Sequence, residues 1–286
     1  MAIVLGLAVA VVYGAADFLG GRTSRDNRPA AVVAVSQVTS LVLLGALLLL
    51  DASPFPDGAP LAFGAASGIV SLVGVQLLYR GLALGAMGVI APVTAVGAAV
   101  VPFAYGLLTG ERPSPLALLG VAVALVAIAL VAAASPPAIG GQPAGGQPAG
   151  VGARELVLAG AAGTAFGLAF IFLAESGEGG GFWPLLAARG ASVPVAVIIA
   201  LATGRDLAIA PGSRAAVAAA GVLDVLAIAL YLLASRRGLI SLVAVLGSLY
   251  PATTVILARV VLHERFSRTQ LVGLALALGG VLLIAS

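Results

Sequence analysis

The stretch YRGLALGAMGVIAPVTAVGAAVVPFAYGLLTGERPSPLALLGVAVALVAIALVA, Tyr79–Ala132, has a counterpart later in the chain. The segment Leu232–Ala285 repeats its order of features: a Gly, a long apolar run, a Glu-Arg pair, a second Gly and a last apolar run. The matched positions share the offset between Glu111 and Glu264, which is 153 residues. A constant offset over so long a segment indicates a duplicated unit. The same offset relates Gly85 to Gly238, Gly120 to Gly273, and Tyr13 to Phe166.

The composition indicates a membrane protein. Hydrophobic residues make up 61% of the chain and charged residues 9%, whereas soluble domains have about 25% charged residues. The absence of cysteine excludes disulfides and thiolate metal sites. The few charges lie mostly between the apolar runs, which argues against a nucleic-acid-binding surface.

Ten apolar runs of about 17–24 residues follow one another along the chain, and each is long enough for a helix to cross a hydrocarbon core of about 30 Å. A membrane barrel would instead show short alternating segments. We therefore predict an all-α membrane protein with ten transmembrane helices. The runs are about Ala2–Gly20, Ala30–Leu50, Pro60–Ala83, Gly88–Leu108, Pro115–Ala134, Leu156–Ala174, Phe182–Thr203, Arg214–Ser235, Ile240–Leu262 and Thr269–Ala285.

The duplication divides the chain into a first five-helix repeat over residues 1–134 and a second over residues 154–286. Between them lies a segment rich in Pro, Gly and Ala, residues 135–153, which we predict to be a flexible linker. Because five is odd, the second repeat is predicted to run inverted, in a 5+5 arrangement around a central cavity. The first run has a counterpart in the second repeat and no preceding basic residue, so we expect it to be retained and not cleaved as a signal peptide.

The polar side chains inside the runs are the candidate functional residues, because charges in a membrane are kept away from lipid. Asp224 lies near the middle of the eighth run, where it either faces a cavity or pairs with an Arg such as Arg189. Asp17, near the end of the first run, has either a helix-end role or a place in the binding site. Gln76 in the third run is expected to hydrogen-bond either a neighbouring helix or a ligand.

Four aromatic residues complete the candidate substrate-binding set: Tyr13, Phe166, Tyr79 and Tyr231. Their positions are compatible with core packing or with the wall of a pocket for a small organic solute. Glu111 and its counterpart Glu264 end the fourth and ninth runs and are predicted to cap or join helices.

Prolines inside the fourth and ninth runs are compatible with close helix packing or with bends that let the helices rock. They are Pro92, Pro102 and Pro251.

No catalytic or metal-binding constellation is present, and no cofactor is expected. The sequence has no GxxxxGK loop and no HExxH motif, which argues against an ATP-driven pump and a zinc hydrolase. These features favour a secondary transporter over an enzyme. The alternatives that remain are a membrane-embedded lipid-handling enzyme and a channel or structural subunit.

The two copies resemble the drug/metabolite transporter superfamily, and specifically its EamA-domain members. The residues that carry the resemblance are GLALGAMGVIAP and LLTGERPSPLALLG in the first copy, and SRRGLISLVAVLGSLYP and VVLHERFSRTQLVGLALALGG in the second. The resemblance implies alternating-access export of small metabolites, most readily amino acids, including aromatic ones as in YddG-like exporters. It also implies a bacterial inner-membrane location and substrate-binding roles for Tyr13, Gln76, Tyr79, Asp224 and Tyr231. Protons are possible partners of such a transporter; nucleic acids are not.

The two indicators of orientation disagree. Nine Arg lie in or near the connections after odd-numbered helices and three lie on the other side, so the positive-inside rule places both termini outside. The family resemblance implies that both termini are cytoplasmic, and we adopt that expectation.

Overall fold

The computed structural model describes residues 1–24, 26–49, 54–83, 87–133, 153–177, 180–204, 207–262 and 267–285. These residues form eleven α-helices and one short 3₁₀ turn, and the described part contains no strand. Seven helices are long and apolar enough to cross a membrane. The α-helices are α1 Ala2–Thr23, α2 Pro29–Leu48, α3 Gly58–Ala83, α4 Met87–Leu108, α5 Pro115–Ala133, α6 Ala153–Glu175, α7 Trp183–Gly204, α8 Arg214–Ser235, α9 Ile240–Gly247, α10 Tyr250–Leu262 and α11 Arg268–Ala285.

The all-helical membrane fold expected from the sequence is confirmed. Nine of the ten apolar runs correspond to one helix each, with ends that differ by a few residues. Backbone groups in lipid have no water to pair with, so each run satisfies them internally as a helix. The predicted linker, apart from Ala153, lies outside the described residues.

The ninth run differs from the prediction because it is broken into α9 and α10 at Ser248 and Leu249. Pro251 has no backbone N–H to donate to the carbonyl of Gly247, and its ring crowds that carbonyl, so the helix stops one turn earlier. The position equivalent to Pro251 in the first repeat is Ala98. Helix α4 accordingly continues through it without a break.

Neighbouring helices approach one another at glycines, where the backbone of one helix occupies the space that a side chain would take. Gly68 of α3 lies against the backbone of Ala188 in α7, and Gly163 of α6 lies against Gly97 of α4. Lipid gives helices no hydrophobic reason to associate, so close backbone packing is what holds them together.

The packing follows the duplication. Helix α1 packs on α8, α9 and α10, while α6, its counterpart, packs on α3 and α4. Helices α5 and α11 are also counterparts, and they pack on each other. Gly120 near the start of α5 lies against Gly280 near the end of α11, and Gly273 near the start of α11 lies against Val131 near the end of α5. These two counterpart helices therefore run antiparallel.

Substitution of Gly68 by Ala should destabilise the protein, because the added Cβ meets the backbone of Ala188 and the α3–α7 interface must open. We expect a loss of about 1–3 kcal/mol, measured as the free energy of unfolding in mixed detergent–SDS micelles. Gly45→Ala in α2 is the matched control, since nothing lies within 4 Å of its added Cβ. Equal stability of the two variants would contradict the packing described.

Candidate functional site

Asp17 lies on the side of α1 that faces the interior of the bundle. At about 100° per residue, Asp17 is about 20° from Ala10 and about 40° from Gly21 around the helix axis, but about 120° from Val11. Ala10 and Gly21 are buried, whereas Val11 is exposed on the outer face. Asp17 is nevertheless exposed. Asp17 thus presents an accessible carboxylate on the inner side of a membrane-spanning helix.

The groups around Asp17 come from both repeats. Asp17 of α1 is near enough to Asp224 of α8 and to Tyr250 of α10 for their charges and polar groups to interact. Tyr13, one turn before Asp17, is within the same reach of Asp17, Asp224 and Arg189. These groups thus belong to α1, α8 and α10, with Arg189 on α7.

Asp224 is held by an ion pair with Arg189, whose Nη2 donates to Asp224 Oδ2. The Arg189 side chain is only 8% exposed, while that of Asp224 is 29% exposed. Ser40 of α2 places its hydroxyl 3.3 Å from the same carboxylate oxygen and 2.8 Å from the carbonyl of Gly221. The pair joins α7 to α8, and Ser40 joins α2 to α8. Of the two roles left open for Asp224, the structure has the ion pair with Arg189. Part of the Asp224 carboxylate is still exposed.

The two acidic residues therefore differ in charge balance. Asp224 is neutralised by Arg189, whereas Asp17 has no hydrogen bond or ion pair within the described part of the chain. The Nε of Arg189 is buried and likewise lacks a partner among the described residues. With both carboxylates ionised, the group of Asp17, Asp224 and Arg189 carries a net charge of −1.

A row of aromatic rings lies beside the acidic residues. The ring of Phe170 packs edge-on against Tyr13, with centroids 6.4 Å apart, and stacks at a tilt on Tyr231 at 4.5 Å. Tyr231 is completely buried, and its hydroxyl has no partner among the described residues. Phe170 was not in the predicted set of site residues. Its place in the repeat was a signal that could have found it, because Phe170 is the counterpart of Asp17.

The remaining predicted residues have different surroundings. Phe166 packs over Gly74, so that a Cβ on Gly74 would lie 3.0 Å from the ring. Gln76 is half-buried on α3. The Tyr79 side chain lies outside the described residues, as do Glu264 and its neighbours. Four of the seven predicted site residues are thus brought together: Tyr13, Asp17, Asp224 and Tyr231. Phe166 instead packs at the α3–α6 interface. The predicted set did not include three residues of this region, Ser40, Phe170 and Tyr250.

Glu111 has the capping role expected of it, but its partner is far away in the sequence. Its two carboxylate oxygens accept hydrogen bonds from the backbone N–H groups of Ile240 and Ser241, at 2.6 and 3.0 Å. The capped helix is therefore α9, in the other repeat.

No group of three or more His, Cys, Asp or Glu side chains within the described ranges is arranged to hold a metal ion.

The sequence matches the EamA-like transporter family over residues 1–133 and 153–286. The chain belongs to that family. It also superposes on a protein of known crystal structure with a TM-score of 0.80, covering 99% of this chain and 98% of the other at 16% identity. At that identity the likeness shows a shared fold alone. No curated protein matches the chain significantly.

Membership of the EamA-like family makes the chain a membrane transporter of small solutes, and not an enzyme. The Arg189–Asp224 pair connects α7 and α8 within the bundle.

Breaking the Arg189–Asp224 pair should show strong coupling between the two residues. Asp224→Asn leaves the Arg189 guanidinium buried without its counter-charge, so we expect a loss of about 3 kcal/mol in the free energy of unfolding. Arg189→Gln should cost less, because Asp224 is partly exposed. The double variant should be markedly more stable than the sum of the two losses predicts. Additive losses in a double-mutant cycle would show that the pair contributes no interaction energy.

Proposed function

We propose that this EamA-like protein is a secondary transporter that exports small metabolites, most readily amino acids, including aromatic ones, across the bacterial inner membrane. The observation that carries the proposal is the Asp17 carboxylate, which is exposed on the inner side of α1 and has no partner among the described residues. On this basis we propose a water-accessible chamber inside the bundle, beside Asp17. A charge inside a transmembrane segment is costly and is usually retained for a substrate or proton pathway.

Alternating access is proposed from the way the repeats pack. Two inverted five-helix repeats are related by a pseudo-two-fold axis in the membrane plane. If the two repeats exchange conformations, a chamber that was open to one side of the membrane becomes open to the other side. The antiparallel contact of α5 with α11, and the exchange of packing partners between α1 and α6, support this arrangement.

The chamber offers complementary groups for an amino acid. Asp17 supplies a carboxylate for the ammonium group of the solute, and Arg189 Nε, which has no partner among the described residues, is a donor for its carboxylate. Tyr13, Phe170 and Tyr231 provide an aromatic surface for the side chain. Gln76 and Tyr79 remain proposed members of the wall, as predicted from the sequence.

Asp17→Asn should reduce export of amine-bearing solutes by at least about tenfold, because it removes the charge that attracts the ammonium group. The measurement is efflux of phenylalanine from preloaded proteoliposomes, compared with its deaminated analogue 3-phenylpropionate, with and without a proton gradient. The control is Asp57→Asn, an exposed residue before α3. Unchanged phenylalanine efflux in Asp17→Asn, or equal transport of both solutes by the parent protein, would contradict the proposed recognition.

Both termini are proposed to be cytoplasmic. A C-terminal fusion to a fluorescent protein that folds only in the cytoplasm should fluoresce. Activity of a reporter that functions only in the periplasm would contradict this orientation.

A further inference from the structure

The short helix α9 fills one end of the bundle. Six of its eight residues are buried, and it packs on α1 and α4. The side chain of Leu246 lies over Gly6 at 3.1 Å from the position of an added Cβ, and Gly247 lies against Val9 in the same way. Gly6 and Val9 precede Tyr13 and Asp17 on α1, so α9 closes the bundle on the side of the chamber nearest the N-terminus.

Helix α9 is attached at its N-terminal end by Glu111. Helix α4 ends in a Schellman turn, in which Gly110 takes a left-handed φ of 99° and donates to the carbonyl of Leu107, while the Glu111 N–H donates to the carbonyl of Gly106. This turn directs the Glu111 side chain back along α4 toward α9. Its two oxygens then accept the first N–H groups of α9, a charged cap that also complements the helix dipole.

Two glycines make this geometry possible. Gly110 supplies the positive φ, which other residues rarely adopt. Gly106 leaves room for the carboxylate, since an added Cβ would meet the Glu111 carboxylate and would lie 3.0 Å from the Cβ of Ser241. The second repeat has Arg259 and His263 at the equivalent positions. The pair of glycines that accommodates the Glu111 carboxylate therefore belongs to the first repeat and has no counterpart in the second.

The closed position of α9 leaves polar groups unsatisfied. Within the described residues, four buried side-chain polar atoms have no hydrogen-bond partner, and three of them belong to Ser241 of α9, Ser248 that follows it, and Tyr231 that packs against it. Buried hydroxyls without partners are costly, so a position of α9 that let them bond to water would recover part of that cost. The bonds to Glu111 oppose such a movement.

The other end of α9 is not continuous with α10. Between Gly247 and Pro251 the helix is interrupted, and Pro251 prevents α9 and α10 from joining into one rod. Interruptions of this kind absorb the change in backbone angles when a segment moves.

We propose that α9 is the gate at this end of the chamber and that Glu111 is the latch that holds it closed. The inference rests on the proposed alternating access, and it names the moving element and its control. Opening breaks the two hydrogen bonds from Ile240 and Ser241 to Glu111 and hydrates the hydroxyls of Ser241, Ser248 and Tyr231. Closing restores the hydrogen bonds.

The test uses the absence of native cysteines. Cysteines introduced at the exposed positions Thr109 and Arg237, on either side of the latch, carry spin labels whose distance is measured by pulsed electron paramagnetic resonance in nanodiscs. In Glu111→Gln, which keeps the shape but loses the charge, the ratio of longer to shorter distances should rise on the order of tenfold. Arg112→Gln, an exposed neighbour, is the matched control and should leave the distances unchanged.

Gly106→Ala provides an independent variant, because it displaces the carboxylate without altering Glu111. It should shift the distances in the same direction, and it carries the test if Glu111→Gln does not fold. Distances identical to those of the parent in the folded variants would overturn the latch. If the spin-label distances shift in the variants but the parent protein transports none of the solutes tested, the latch is supported and the proposed function is contradicted. If the parent protein transports a solute but the distances do not change in the variants, the proposed function is supported and the latch is contradicted.

Discussion

Charged side chains cannot be left in contact with hydrocarbon, and this constraint organises the molecule. Asp17, Asp224 and Arg189 lie in helices that cross the membrane, so the bundle has to close around them. Arg189 and Asp224 neutralise each other's charge in an ion pair. Asp17 has no such partner among the described residues and lies on the inner side of α1. The proposed chamber would give its carboxylate water or a solute to contact.

The helices can surround the chamber because glycines bring their backbones together elsewhere. The contacts at Gly68, Gly163 and Gly120 fix the rigid part of the bundle. Helix α9 is packed as well, with six of its eight residues buried. Its N-terminal end depends on two hydrogen bonds to Glu111, and it borders three hydroxyls that have no partner among the described residues. These are the contacts that the proposed gate would exchange when the transporter changes shape.

The positions of the helices could be predicted from the sequence more completely than the contacts between the helices. The ten apolar runs were readable because helix formation in lipid depends on local composition. The prolines of the fourth and ninth runs left close packing and bends as alternatives: the ninth run is broken near Pro251, whereas α4 continues through Pro102. The pairing of Arg189 with Asp224 stayed one of two choices, since it depends on how α7 meets α8. The capping role of Glu111 was predicted, but its partner helix lies in the other repeat and only the packing reveals it.

The central claim is that the inner side of α1 borders water while its outer side borders lipid. The most direct measurement is the reaction of single cysteines on α1 with a membrane-impermeant thiol reagent, in this chain without native cysteines. Asp17→Cys should react, and Ala15→Cys, on the outer side with Val11, should not, because a thiolate does not form in hydrocarbon. If Asp17→Cys is unreactive in the folded protein, or both positions react equally, no chamber lies beside α1 and the account is wrong.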